Sequence, residues 1–183
     1  LVGSEMCIRD RSYTEDSYVI NVTAGSPPTA VADTASAGEN AEVRVNVLAN
    51  DLKGSSTSLT LVSLGNVTVS GLTLTAAELA TVKSYFSIDP DQATIVFKPG
   101  AGLPGAVESI FDRMNPTDTA TVSIGYQIIG NTGDRSSSTL TIQISGDYEI
   151  IAAANGTPYA DKITGTANAD TLDGGAGNDM IIG

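Results

Sequence analysis

Residues 156–183 read GTPYADKIT, GTANADTLD, GGAGNDMII and a further Gly. Set in nines, Gly156, Gly165, Gly174 and Gly183 form one column. Asp161, Asp170 and Asp179 form a second, and Ile163, Leu172 and Ile181 a third. No other stretch of the chain constrains its architecture so tightly. A unit this short cannot bury its own apolar residue, so successive turns must stack and share a core. Two simpler readings fit less well. A phosphate-cradling loop runs into a helix and usually carries a Lys, but here a strand-like Met180-Ile181-Ile182 follows and no Lys stands beside the third repeat. A plain Gly/Asp linker leaves the columns unexplained.

The residue types point to a hard cation. Glycines reach positive φ and let backbone carbonyls turn inward. One Asp per repeat adds an anionic oxygen. Calcium takes roughly six to eight such oxygens, so one turn cannot complete a site and neighbouring turns must share the ion. The third repeat fits G-G-x-G-x-D-x-U-x in full, and the segment resembles the calcium-binding nonapeptide of RTX (repeats-in-toxin) proteins. That resemblance implies a parallel β-roll, with six residues of each repeat in a turn and three in a short strand. It implies Ca2+ as the bound ion and Asp161, Asp170, Gly174, Gly177 and Asp179 as the residues around it. It also implies that consecutive turns lie on opposite sides. Asp161 would then share a side with Asp179, and Asp170 would pair with a repeat further on. Where the third repeat has Gly177, the second has Asn168 and the first Tyr159. Asn tolerates a left-handed backbone and Tyr does so poorly. The first turn is therefore expected to be a cap or lead-in rather than a full calcium half-site.

Composition removes several function classes. The chain has 183 residues, a formal charge of -12 and no His, so neither a Ser-His or Cys-His pair nor a His-ligated zinc site can be built. The acidity disfavours nucleic acid, whose phosphates need Lys and Arg, and suits cation binding. No carboxylate pair is flanked by the apolar residues that would push two pKa values apart, so no enzyme activity is expected. No apolar run approaches the length of about 18 residues that spans a membrane.

The middle of the chain alternates with period two. Val43, Val45 and Val47 share a face in AEVRVNV; LTLVSL, NVTVSGLTL and ATIVFKPGAG follow. TATVSIGYQII alternates through Val122, Ile124, Tyr126 and Ile128, and TLTIQIS supplies Leu140, Ile142 and Ile144. Turn sequences separate these strands, which predicts a β-sandwich. One helix is expected over 76–84, because Thr75 and Glu78 form a T-x-x-E capping box and Leu79 and Val82 share a face. A further helical turn is expected at 107–111. Upstream, Tyr18, Ile20 and Val22 alternate as a strand that stops at Pro27-Pro28.

The segments VADTASAGENAEVRVNVLANDLKG, IDPDQATIVFKPGAG and ATVSIGYQIIG resemble bacterial cadherin-like or VCBS-type immunoglobulin-like repeats over roughly 27–145. Such repeats occur in tandem in very large secreted surface proteins. Asp33, Asp51, Asp89, Asp91 and Asp134 are open to two readings, calcium held between modules or ordinary turn chemistry. Of these, Asp33 and Asp51 are the further metal candidates. A carbohydrate-binding sandwich would present surface aromatics, yet the chain has no Trp and 5% aromatic residues.

Residues 1–10, LVGSEMCIRD, back-translate into one continuous string resembling a transposon-type sequencing adapter. Residues 1–11 are expected to be an artefact that takes the sole cysteine, Cys7, with it. The fold expected is all-β. It comprises the last strand of a preceding module plus linker at 12–26 and an immunoglobulin-like/cadherin-like β-sandwich with one short helix at 27–145. A linker at 146–155 and the start of a parallel β-roll at 156–183 complete it. The function expected is that of a calcium-binding structural or adhesive fragment of a secreted or surface bacterial RTX adhesin-like protein, exported by type I secretion. Neighbouring modules and host or surface glycans are the further partners expected. The alternative is the C-terminal region of an RTX exoenzyme or pore-forming toxin whose active domain lies upstream.

Overall fold

The computed structural model describes residues 25–100, 109–151, 156–166 and 170–183. The expected strand at Tyr18–Val22, the adapter-like stretch, Asn168 and part of the 107–111 helical turn lie outside the described residues.

The protein is built mainly of β-strands in open sheets, with one short α-helix. The first sheet has the order β1-β7-β6-β3, from β1 (Asp33–Gly38), β7 (Arg135–Ser145), β6 (Thr119–Gly130) and β3 (Leu59–Ser70). The second has the order β2-β5-β4, from β2 (Val43–Asn46), β5 (Thr94–Phe97) and β4 (Phe86–Ile88). Strand β6 is central because its alternation is complete: Ala120, Val122, Ile124, Tyr126 and Ile128 are all buried. Leu140, Ile142 and Ile144 of β7 lie beside them. Leu61, Val122, Ile124 and Leu140 of the first sheet share one apolar cluster with Phe86, Ile95 and Phe97 of the second. Each such side chain contributes roughly 1.5–3 kcal/mol by leaving water. Phe97 holds the aromatic part of this core, with ring centroids 4.7 Å from Phe86, 6.1 Å from Phe111 and 6.3 Å from Tyr85.

Helix α1 (Ala76–Ser84) spans the expected residues and carries the expected cap. The Thr75 N–H donates to Glu78 Oε2 at 2.7 Å, and the Glu78 N–H donates to Thr75 Oγ1 at 3.3 Å. Arg113 adds an ion pair to Glu78 at 2.6 Å. The Thr75 N–H first, then Arg113, hold the Glu78 carboxyl down at about 2. The helical turn expected at 107–111 is a 3-10 turn at Ile110–Arg113, where Phe111 is buried and the Ser109 hydroxyl accepts from its N–H.

Two strands differ from expectation. LTLVSL and the NVTVS part of NVTVSGLTL merge into the single strand β3, which stops at Ser70, because register shifts between Leu61 and Ser63 and between Leu64 and Val67 absorb the apparent break. Gly65 sits in that irregular stretch, where an added Cβ would come 3.3 Å from the Gly125 carbonyl. Strand β1, DTASAG, carries no β-branched apolar residue, and its pattern does not announce a strand. It forms because β7 presents a free edge, onto which β1 docks in parallel from Asp33↔Leu140 to Gly38↔Ser145. Its small side chains Ala35 and Ala37 reach the core.

A third sheet holds the C-terminal segment: β8 (Glu149–Ile151), β9 (Asp161–Thr164) and β10 (Met180–Ile182), in the order β10-β9-β8. Strand β8 falls in the 146–155 stretch expected to be a linker, and pairs in parallel with β9.

Candidate metal centre

Strand β10 also pairs in parallel with β9, with Met180 opposite Lys162, Ile181 opposite Ile163 and Ile182 opposite Thr164. The offset is 18 residues, two periods of the register. The first and third turns therefore stack directly, and the second does not come between them. Backbone bonds tie the stack together. The Gly156 N–H donates to Asp173 O at 2.7 Å, Gly165 N–H to Ile182 O at 2.7 Å, and Ala176 N–H to Thr157 O at 3.3 Å.

The glycines make this approach possible. Gly175 and Gly177 have φ of +77° and +127°. A Cβ at Gly175 would run into the Thr157 carbonyl, and one at Gly177 into that of Tyr159. A Cβ at Gly174 would strike the Asp179 carboxylate. The third turn thus lays its bare backbone against the carbonyls of the first, as a shared oxygen-rich site requires.

Asp161 and Asp179 meet in this stack, and the Asp161 N–H donates to Asp179 Oδ1 at 3.1 Å. Asp161 is 0% exposed. Its carboxylate accepts from the Thr157 N–H at 2.6 Å and the Thr157 hydroxyl at 2.9 Å. Asp170 is not brought to the other two. It is exposed and held inside its own turn by the Thr166 N–H at 2.5 Å and the Thr166 hydroxyl at 3.0–3.1 Å. Among the described residues, no group of three or more Asp, Glu or Cys side chains converges as a ready cage. What the stack offers instead is the Asp179 carboxylate and turn carbonyls, with the Asp161 carboxylate beside them and already bonded by Thr157. Their oxygen chemistry fits calcium rather than a softer metal. Sequence reasoning passed over Thr157 and Thr166, although both stand in the column where the third repeat has Gly175.

The other acidic candidates sit in the two larger sheets. Asp33 Oδ2 lies 2.8 Å from the buried Tyr126 hydroxyl, which also reaches Val31 O at 2.7 Å. Asp51 Oδ1 accepts from the Val31 N–H at 2.7 Å, and its Oδ2 is buried with no hydrogen-bond partner. Desolvation raises both carboxyls above the usual range, and the Asp33 charge adds to the effect on Asp51. Desolvation and Asp33 likewise push the Tyr126 phenol up. Asp33 and Asp51 thus flank the start of β1. Asp91 serves turn chemistry, accepting from the Ala93 N–H and from the Thr94 N–H and hydroxyl. Asp89 pairs with Arg44, and Asp134 accepts from the Thr132 hydroxyl.

The family model of the RTX calcium-binding nonapeptide repeat, in four copies, matches residues 155–183. Repeats of this kind bind Ca2+, so calcium is the ion of this segment. Proteins carrying them are typically secreted. No curated protein matches the chain. Among the described residues, no helix is long and apolar enough to cross a membrane.

Proposed function

We propose that the chain is a non-enzymatic, calcium-binding structural part of a large secreted or surface RTX protein of the adhesin type. In this reading, 156–183 is the start of a parallel β-roll, and the two-sheet unit is an immunoglobulin-like, cadherin-like module serving as spacer or adhesive surface. The observation that carries the calcium part is the stacking of the first and third turns at an offset of 18 residues, with Asp161 against Asp179. Asp179 and the turn carbonyls supply the oxygens, and Asp161 stands beside them. Without the ion, the third turn has little to hold it, because Met180, Ile181 and Ile182 all stay exposed. Binding and ordering of the third turn are therefore one event. The sandwich reading rests on two sheets sharing one core and on the VLAND turn and FxPG strand end. The adhesin reading rests on that resemblance.

Calcium titration of the chain, followed by circular dichroism and calorimetry, tests the calcium reading. Ordering is expected at roughly 10⁻⁴–10⁻³ M, the weak end of extracellular sites. Magnesium is expected to do little, because it demands tight octahedral geometry. Absence of any calcium-dependent change at millimolar concentrations would contradict the reading.

A further inference from the structure

The three turns are not equivalent, and the difference lies at their second position. In the first turn the Thr157 N–H and hydroxyl both donate to Asp161, and the Tyr159 N–H donates to the Thr157 hydroxyl oxygen at 3.2 Å. In the second turn Thr166 does the same to Asp170. In the third turn Gly175 has no hydroxyl, and its N–H donates to Asp173 at 3.0 Å instead. A fully buried carboxylate is tolerated only when paired or hydrogen-bonded. The two short donors of Thr157 meet that demand at Asp161 with charge-assisted bonds. Strand β9, which begins at Asp161, is already paired on its other edge with β8.

We propose that Thr157 and Thr166 stand in for a cation, latching Asp161 and Asp170 so that the first two turns close without calcium. The latched turns and the β8–β9 pair form a preformed edge, and calcium is needed only to dock the third turn and β10 onto it. The inference rests on the reading of 156–183 as a calcium-dependent repeat segment, and it assigns the ion requirement within that segment. It gives the roll a direction of assembly: the latched turns come first, and the glycine-rich turn follows when calcium arrives.

Residue-resolved amide exchange on the whole chain, in chelator and in calcium, tests it. In chelator the Thr157 and Thr166 amides are expected to be protected, while those of 174–182 exchange freely. Replacing both hydroxyls, T157V with T166V, is expected to cut that protection about tenfold or more. Serine at both positions is expected to keep it, which separates the hydroxyl from the packing of the methyl group. Unprotected Thr157 and Thr166 amides in chelator would overturn the proposal, as would a valine pair as protected as the parent. If the latch arms behave as expected but calcium leaves 174–182 unchanged, the calcium reading fails and the latch stands.

Discussion

Thr157 and Gly175 occupy the same column of the nine-residue register and do opposite things. The threonine closes its turn on its own Asp, whereas the glycine leaves room for a neighbouring turn to come in. The columns of Gly, Asp and aliphatic residues were legible in the sequence, whereas the placing of Asp161 and Asp179 on one side was implied only by the family resemblance. The threonine role was not legible, because a hydroxyl donating to a carboxylate four residues on becomes visible only once the turn is folded. Asp33 is a second case in which surroundings decide behaviour. Its folded carboxyl is raised from 3.8 by desolvation, so the charged form is disfavoured in the native state. The resulting penalty is present at neutral pH and is relieved as pH falls through the raised value toward 3.8. Asp33→Asn keeps an acceptor for Tyr126 and removes the charge. It is expected to raise the melting temperature at pH 7 in chelator, with the difference shrinking below that pH range; calorimetry against pH checks this.

At the scale of elements, α1 and β6 were legible because local chemistry and tertiary packing agree there. The T-x-x-E box sets the start of α1, and strict alternation sets the buried face of β6. Strand β1 was not legible, since its residues are small and its partner lies more than a hundred positions away on β7. Nothing local distinguishes DTASAG from a turn. The bulged β3 reads as two strands in the sequence for a related reason, because bulges are written in the register of the partner strand. Two substitutions probe this level. Phe97→Ala removes the ring around which Phe86, Phe111 and Tyr85 gather and is expected to cost about 3–5 kcal/mol in denaturant unfolding. Gly177→Ala places a methyl against the Tyr159 carbonyl at a φ of +127°. Strain of roughly 1–3 kcal/mol is expected to weaken calcium binding about tenfold or more in calorimetry, while the melting of the two larger sheets stays unchanged.

For the whole molecule, a charge of -12 and an absence of His mean that acid acts on carboxylates alone. Glu78, held at about 2 against an ordinary 4.5, stabilises the fold above pH 4.5, and that contribution is lost as pH falls from 4.5 toward 2. Hydrogen bonds lower Asp91 and Asp118 as well, so their contributions fade in the same direction. Glu78→Gln is expected to flatten the acid limb of the stability curve between those values, as read from denaturant midpoints at successive pH. Calcium is expected to draw the third turn and β10 onto the first turn and β9 at an offset of 18 residues. Two amides report it directly: Gly165, bonded to Ile182 O, and Ala176, bonded to Thr157 O. Their exchange rates, measured by NMR on the whole chain, are expected to fall about tenfold or more when chelator is replaced by millimolar calcium. Equal exchange with and without calcium, whether fast or slow, would contradict the claim.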